Sequence, residues 1–88
     1  MRTIKSYLLD KSSIGIQSLY LPSDAKLVSI QDTDIGLTMF AVTDPNNHRT
    51  DLRTFKICSA DETIYNDNIV YIGSYKSDNG IRHVVETI

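Results

Sequence analysis

The stretch Ile69-Val70-Tyr71-Ile72-Gly73-Ser74-Tyr75-Lys76-Ser77-Asp78-Asn79-Gly80-Ile81-Arg82-His83-Val84-Val85-Glu86-Thr87-Ile88 holds two β-branched and aromatic runs around Asn79-Gly80. Such runs suit a pleated strand, and Asn-Gly is the strongest short hairpin signal because both residues tolerate positive φ. Taking Asn79 and Gly80 as a two-residue loop sets Tyr75 opposite Val84 and Gly73 opposite Glu86. Tyr71, Gly73 and Tyr75 then share one face with Arg82, Val84 and Glu86, while Lys76 and His83 fall on the other.

Working back toward the N-terminus, the same period of two recurs. Arg53 to Ser59 sets Phe55 and Ile57 against Thr54, Lys56 and Cys58. Leu37 to Thr43 is apolar on both faces, which predicts a strand central in its sheet with both faces covered. Lys26 to Gln31 sets Val28 and Ile30 against Leu27 and Ser29; Ile16 to Leu21 sets Ile16 and Tyr20 against Leu19 and Leu21. Thr3 to Leu9 places Ile4 and Leu8 opposite Thr3, Lys5, Tyr7 and Leu9. Turn chemistry separates the runs at Asp10 to Ser13, Pro22-Ser23-Asp24, Asp32-Thr33-Asp34 and Asp44 to Asp51. Asp61 to Asn68 reads as a loop, with room for one helical turn starting at Asp61.

About seven short strands joined by connections too short for crossover helices predict an all-β domain. The strands pair antiparallel in a small sandwich or partly open barrel spanning residues 1–88. Composition agrees: Ile, Val, Thr, Tyr and Phe fill 31 of 88 positions, whereas Ala, Leu, Met, Glu and Gln fill 16. Neither a repeat nor a break in composition divides the chain, so one domain is expected.

Charge and cysteine usage narrow the function classes. A formal charge of −2 supplies no long-range positive field to gather polyanions, which argues against nucleic-acid binding. The lone Cys58 cannot close an intramolecular disulfide, as expected of a protein kept in a reducing compartment. No apolar run resembles a signal peptide or approaches the roughly 18 residues of a membrane span, so a soluble cytoplasmic protein without membrane contact is predicted.

Groups for chemistry are sparse. A thiol nucleophile requires Cys58 beside His48 or His83, and a small strand-end filler is the commoner role for such a cysteine. One Cys and two His lack zinc-site spacing, and Asp32-Thr33-Asp34 fits turn capping better than a calcium loop. No Gly-rich phosphate loop exists. The expectation is a non-enzymatic protein with no cofactor and no metal.

Binding is the remaining class. Tyr71 and Tyr75 with Arg82 form a candidate aromatic face with a basic neighbour, suited to a protein partner or to self-association. Arg49, Arg53, Arg82 and Tyr75 are candidate phosphate and base contacts for a nucleotide-like small molecule held between protomers.

Several blocks resemble a family of small accessory proteins of tailed bacteriophages. They are Thr3-Ile4 with Tyr7, Leu21-Pro22-Ser23-Asp24-Ala25-Lys26-Leu27-Val28-Ser29-Ile30-Gln31, Ala41-Val42-Thr43-Asp44-Pro45, Arg53-Thr54-Phe55-Lys56-Ile57, Tyr71-Ile72-Gly73-Ser74 and His83-Val84-Val85-Glu86. The chain departs from that pattern at Met39 and Val85, where the family often carries aromatic residues. The resemblance implies a phage protein made in the infected bacterium's cytoplasm, which binds and modulates a host protein, anti-phage defence included, or its signalling molecule.

Overall fold

The protein is described by a computed structural model covering every residue except Ser13 and Ile14. Seven strands run in chain order: β1 (Thr3–Leu9), β2 (Ile16–Pro22), β3 (Lys26–Thr33), β4 (Gly36–Thr43), β5 (Thr50–Ser59), β6 (Ile69–Ser77) and β7 (Gly80–Thr87). They build two antiparallel sheets, β1-β4-β3 and β2-β5-β7-β6. Among the described residues there is no helix, and the turn at Ala60-Asp61 does not extend into one. Of the expected loop from Asp10 to Ser13, Ser13 lies outside the described residues.

Alternation decides which side chains meet between the sheets. On β4 the inner positions Leu37, Met39, Ala41 and Thr43 are fully buried. Phe55 and Ile57 of β5, Val84 of β7 and Leu21 of β2 meet them from the other sheet, and this cluster is the core. β4 is central in its sheet, as its apolar composition predicts. Its outer face is covered only in part, because Phe40 and Val42 stay half-exposed beside the exposed Ile4 and Leu8 of β1.

The period of two fails on two strands. β3 carries a bulge between Leu27 and Ser29, so Leu27 and Ile30 both pack on the core and Val28 is left exposed; the expected pairing of Val28 with Ile30 on one face is corrected. β6 carries a bulge between Tyr71 and Gly73. Each bulge adds one residue and exchanges the faces of everything beyond it. Both bulged strands are sheet edges, and they approach each other where Gly73 faces Ile30. A Cβ at residue 73 would sit 2.7 Å from Ile30 Cγ2, so only glycine allows that approach.

The hairpins after β3 and β6 share one construction. Asp34-Ile35 and Asp78-Asn79 form the tips, and Gly36 (φ 128°) and Gly80 (φ 104°) take the positive φ that follows. The hydroxyls of Thr33 and Ser77 donate to the carbonyls of those glycines at 2.9 and 2.8 Å. Asn79 keeps a negative φ. The loop is therefore Asp78-Asn79 rather than Asn79-Gly80, and Tyr75 pairs with Arg82, not Val84.

Candidate functional site

The shifted register and the bulge together rearrange the expected tyrosine face. Tyr75 points inward and is 7% exposed, with Arg82 and Val84 on the same inner face. Tyr71 lies beyond the bulge on the outer face, where its hydroxyl meets His83 Nδ1 at 2.9 Å and the two rings tilt at 51° with centroids 5.6 Å apart. Tyr71 and Tyr75 are thus separated by the thickness of the sheet and form no common platform.

Tyr75 and Arg82 line an open cleft of about 380 Å³ at one end of the sandwich, where the chain after β1, the end of β3 and the β6–β7 hairpin converge. Lys11 donates to both Asp32 oxygens at 3.0 and 3.1 Å across its rim. Arg82 Nε donates to Ser77 Oγ at 3.1 Å, which ties the guanidinium to the hairpin. Two polar atoms remain unanswered: Tyr75 Oη and Arg82 Nη1 are buried with no hydrogen-bond partner among the described residues. Burial, opposed by the nearby Arg82 cation, pushes the Tyr75 phenol above its ordinary value, so the hydroxyl keeps its proton at neutral pH. Beside the cleft there are therefore one N–H and one O–H donor group cut off from water, an arrangement that costs roughly 1 to 3 kcal/mol for each unpaired group.

The other end is built in the opposite way. Arg53, in phase with Phe55 and Ile57, faces inward and grips Glu86 with two bonds, Nε to Oε2 at 2.5 Å and Nη2 to Oε1 at 2.7 Å. Its Nη1 donates to the Ala25 carbonyl at 2.6 Å, so each guanidinium nitrogen has a protein acceptor. Next to Ala25, Asp24 accepts from Thr43 Oγ1, the Asp44 amide and Asn47 Nδ2 at 2.7 to 2.8 Å, and pairs with Arg2 at 3.0 Å. Those donors, Asn47 foremost, hold its carboxyl far below the usual carboxylate range. The result is a clamp between the β2–β3 turn and the β4–β5 loop. Arg49 lies in that loop, exposed, with its backbone amide on Asn47 Oδ1 and its carbonyl accepting from Ser23.

Of the five candidate binding residues, the fold brings Tyr75 and Arg82 together. It commits Arg53 to Glu86, and sends Arg49 and Tyr71 elsewhere. Lys11, Asp32 and Ser77 complete the cleft and carried no distinguishing signal, since charged and hydroxyl residues in turns are ordinary. Glu86 did carry one: an acid and an arginine both in phase with core residues of neighbouring strands announce a buried pair.

The register also sets Cys58 directly opposite His83 on the outer face. The thiol is 2% exposed and burial, with Glu62 adding to it, raises its pKa above the ordinary value, so it stays protonated. The ring nitrogen Nδ1 of His83 is engaged by Tyr71. Among the described residues no three His, Cys, Asp or Glu side chains gather as metal ligands. No curated protein and no solved structure matches the chain. A family does match along the whole length, residues 1–88, and the chain belongs to it: Domain of unknown function (DUF7352).

Proposed function

We propose that this domain is a non-catalytic binding module that holds a small molecule in the cleft beside Tyr75 and Arg82. The observation that carries the reading is the pair of buried, unpartnered polar atoms on two side chains that line an open cleft. Buried polar groups are almost always paired, so a pair left open in a fold that answers every other such side chain among the described residues fits a ligand that supplies the missing partners. The resemblance of the sequence blocks to phage accessory proteins supports a setting, the cytoplasm of an infected bacterium, where sequestering a host signal needs no catalysis.

The test is a thermal-melting panel spanning nucleotides, cyclic dinucleotides, sugars and amino acids, with hits located by amide chemical shifts. A hit shifting residues around Tyr75 and Arg82 supports the module, because binding the folded state raises its melting temperature. A flat response across the panel overturns it. A second reading, docking of a host protein, is favoured by the apolar outer face of β1, where Ile4 is 69% and Leu8 53% exposed. Capture of a host protein that is lost in an Ile4→Lys, Leu8→Lys variant supports docking there, and capture unchanged by that variant removes it.

A further inference from the structure

The two unpartnered atoms also specify what kind of ligand fits. Arg82 Nη1 is a donor only, and the protonated Tyr75 hydroxyl is most in need of an acceptor, because the cation beside it is another donor. Around them Lys11 is already paired with Asp32, whereas Lys76 carries no ion pair among the described residues. The cleft therefore combines two buried donors with two cations outside any ion pair among the described residues, Arg82 and Lys76, against one such carboxylate, Asp78. An arginine beside a hydroxyl donor matches a group with several oxygens and more than one negative charge. We propose that the cleft takes the phosphoryl group of a small molecule, with Tyr75 Oη–H and Arg82 Nη1–H donating to its oxygens and Lys76 balancing its charge from the rim. This rests on the reading of the cleft as the ligand site and adds the ligand's chemistry. A volume of about 380 Å³ exceeds what a bare ion fills, which leaves room for an attached group.

Inorganic phosphate, adenosine 5′-monophosphate and uncharged adenosine separate the contributions when each is titrated into the full chain by calorimetry, with arginine Nε–H and backbone amide resonances as the locating readout. The expected result is binding of phosphate and the monophosphate with shifts at Arg82 and no binding of adenosine. Tighter binding of the monophosphate than of phosphate identifies an attached group as part of the ligand, and equal binding identifies free phosphate. Tyr75→Phe keeps the ring that packs in the core and is expected to weaken phosphate binding about tenfold, as Arg82→Lys does. Lys26→Ala, on the far face of β3, leaves it unchanged. Adenosine binding as strongly as the monophosphate overturns the phosphoryl assignment while preserving the ligand cleft. So does phosphate binding that survives both Tyr75→Phe and Arg82→Lys. No response to any of the three probes, with a hit elsewhere in the wider panel located at the cleft, also overturns the assignment alone; no response anywhere overturns the cleft reading as well.

Discussion

Arg53 and Arg82 both sit on the inner face of the four-stranded sheet, and the fold treats them oppositely. Along β7, Glu86 and Arg82 are four residues apart, about 13 Å at the rise of an extended strand. At the Glu86 end, each guanidinium nitrogen of Arg53 donates to a protein oxygen, and the Asp24 clamp next to it is well answered too. At the Arg82 end, one guanidinium nitrogen and one phenol are sealed from water with nothing to bond. One end closes the sandwich and the other leaves it incomplete. Proteins break local rules where function requires it, and the incomplete end is where we propose the ligand binds.

The largest effect should come from breaking the satisfied end. Arg53→Ala leaves Glu86 buried without its cation, and breaking such a pair costs about 3 to 5 kcal/mol. A domain of this size holds a net of roughly 4 to 13 kcal/mol, so about a quarter or more of the stability should go, and urea unfolding should show the midpoint shifted down by more than about 1 M. The double variant Arg53→Met, Glu86→Leu should recover most of that loss, since it removes the buried charge along with its partner. A double variant as unstable as the single one would mean the pair orients the sheet end in some way its charge alone does not.

Next comes the seam that sets how closely β6 approaches β3. Gly73→Ala forces a methyl to 2.7 Å from Ile30 Cγ2, and overpacking of this kind costs about 1 to 3 kcal/mol. Because Gly73 lies two residues from Tyr75, the strain should appear as chemical-shift changes at the cleft and not at Arg53. Adding Ile30→Ala should relieve it. Equal disturbance at both ends would contradict the independence of the two.

That seam also explains how much of the molecule the sequence makes legible. Strict alternation places β1, β2, β5 and β7 to within a few residues, but it marks an inner face only on β5, where Phe55 and Ile57 oppose Thr54 and Lys56; β1, β2 and β7 carry apolar residues on both faces, and on β1 it is Ile4 and Leu8 that end up exposed. β4 is found from apolar character on both faces. β3 and β6 defeat the pattern: Leu27, Val28 and Ile30 are all apolar, so no residue type marks where the bulge sits, and Ile72 beside Tyr71 is ambiguous in the same way. Two of the five candidate site residues, Tyr75 and Arg82, still come together despite that error. Tyr75 and Arg82 meet whichever residues form the hairpin tip, whereas Tyr71 changes face with one inserted residue. Lys11 and Asp32 are invisible beforehand because their pairing depends on how the two sheets stack, which strand periodicity does not encode.

A smaller effect separates the ends by pH. Asp24 and Glu62 both have folded pKa values below their ordinary 3.8 and 4.5, Asp24 through Asn47, Thr43 and Asp44, Glu62 through Lys56 and the Ser59 amide. A lowered folded value means the stabilisation is complete above the ordinary value and is lost as pH falls through the lowered one. Asp24→Asn should therefore lower the melting temperature by a constant amount above about pH 4, with the gap to the unmodified chain closing at more acid pH. A gap that instead widens below pH 4 would show that the clamp does not act through its carboxylate. Tyr75→Phe should leave the shape of this acid limb untouched.

The smallest expected change is the most informative. Removing a hydroxyl that makes a good internal bond costs about 0.5 to 1.5 kcal/mol, whereas removing one that is buried and unpaired recovers part of its desolvation penalty. Without ligand, Tyr75→Phe should thus be neutral or raise stability by up to about 1 kcal/mol, a gain of a few degrees in melting temperature for a domain of this length. The same substitution should reduce any rise produced by a phosphorylated ligand, by up to the roughly 1.4 kcal/mol that a tenfold loss of affinity represents, so one atom lowers the stability of the free protein and raises that of the bound one. Stability and binding trade against each other in this way at sites kept ready for a partner. A loss of 1 kcal/mol or more in the ligand-free protein would show that the phenol already has an internal partner in solution, and the contrast between the two ends would collapse.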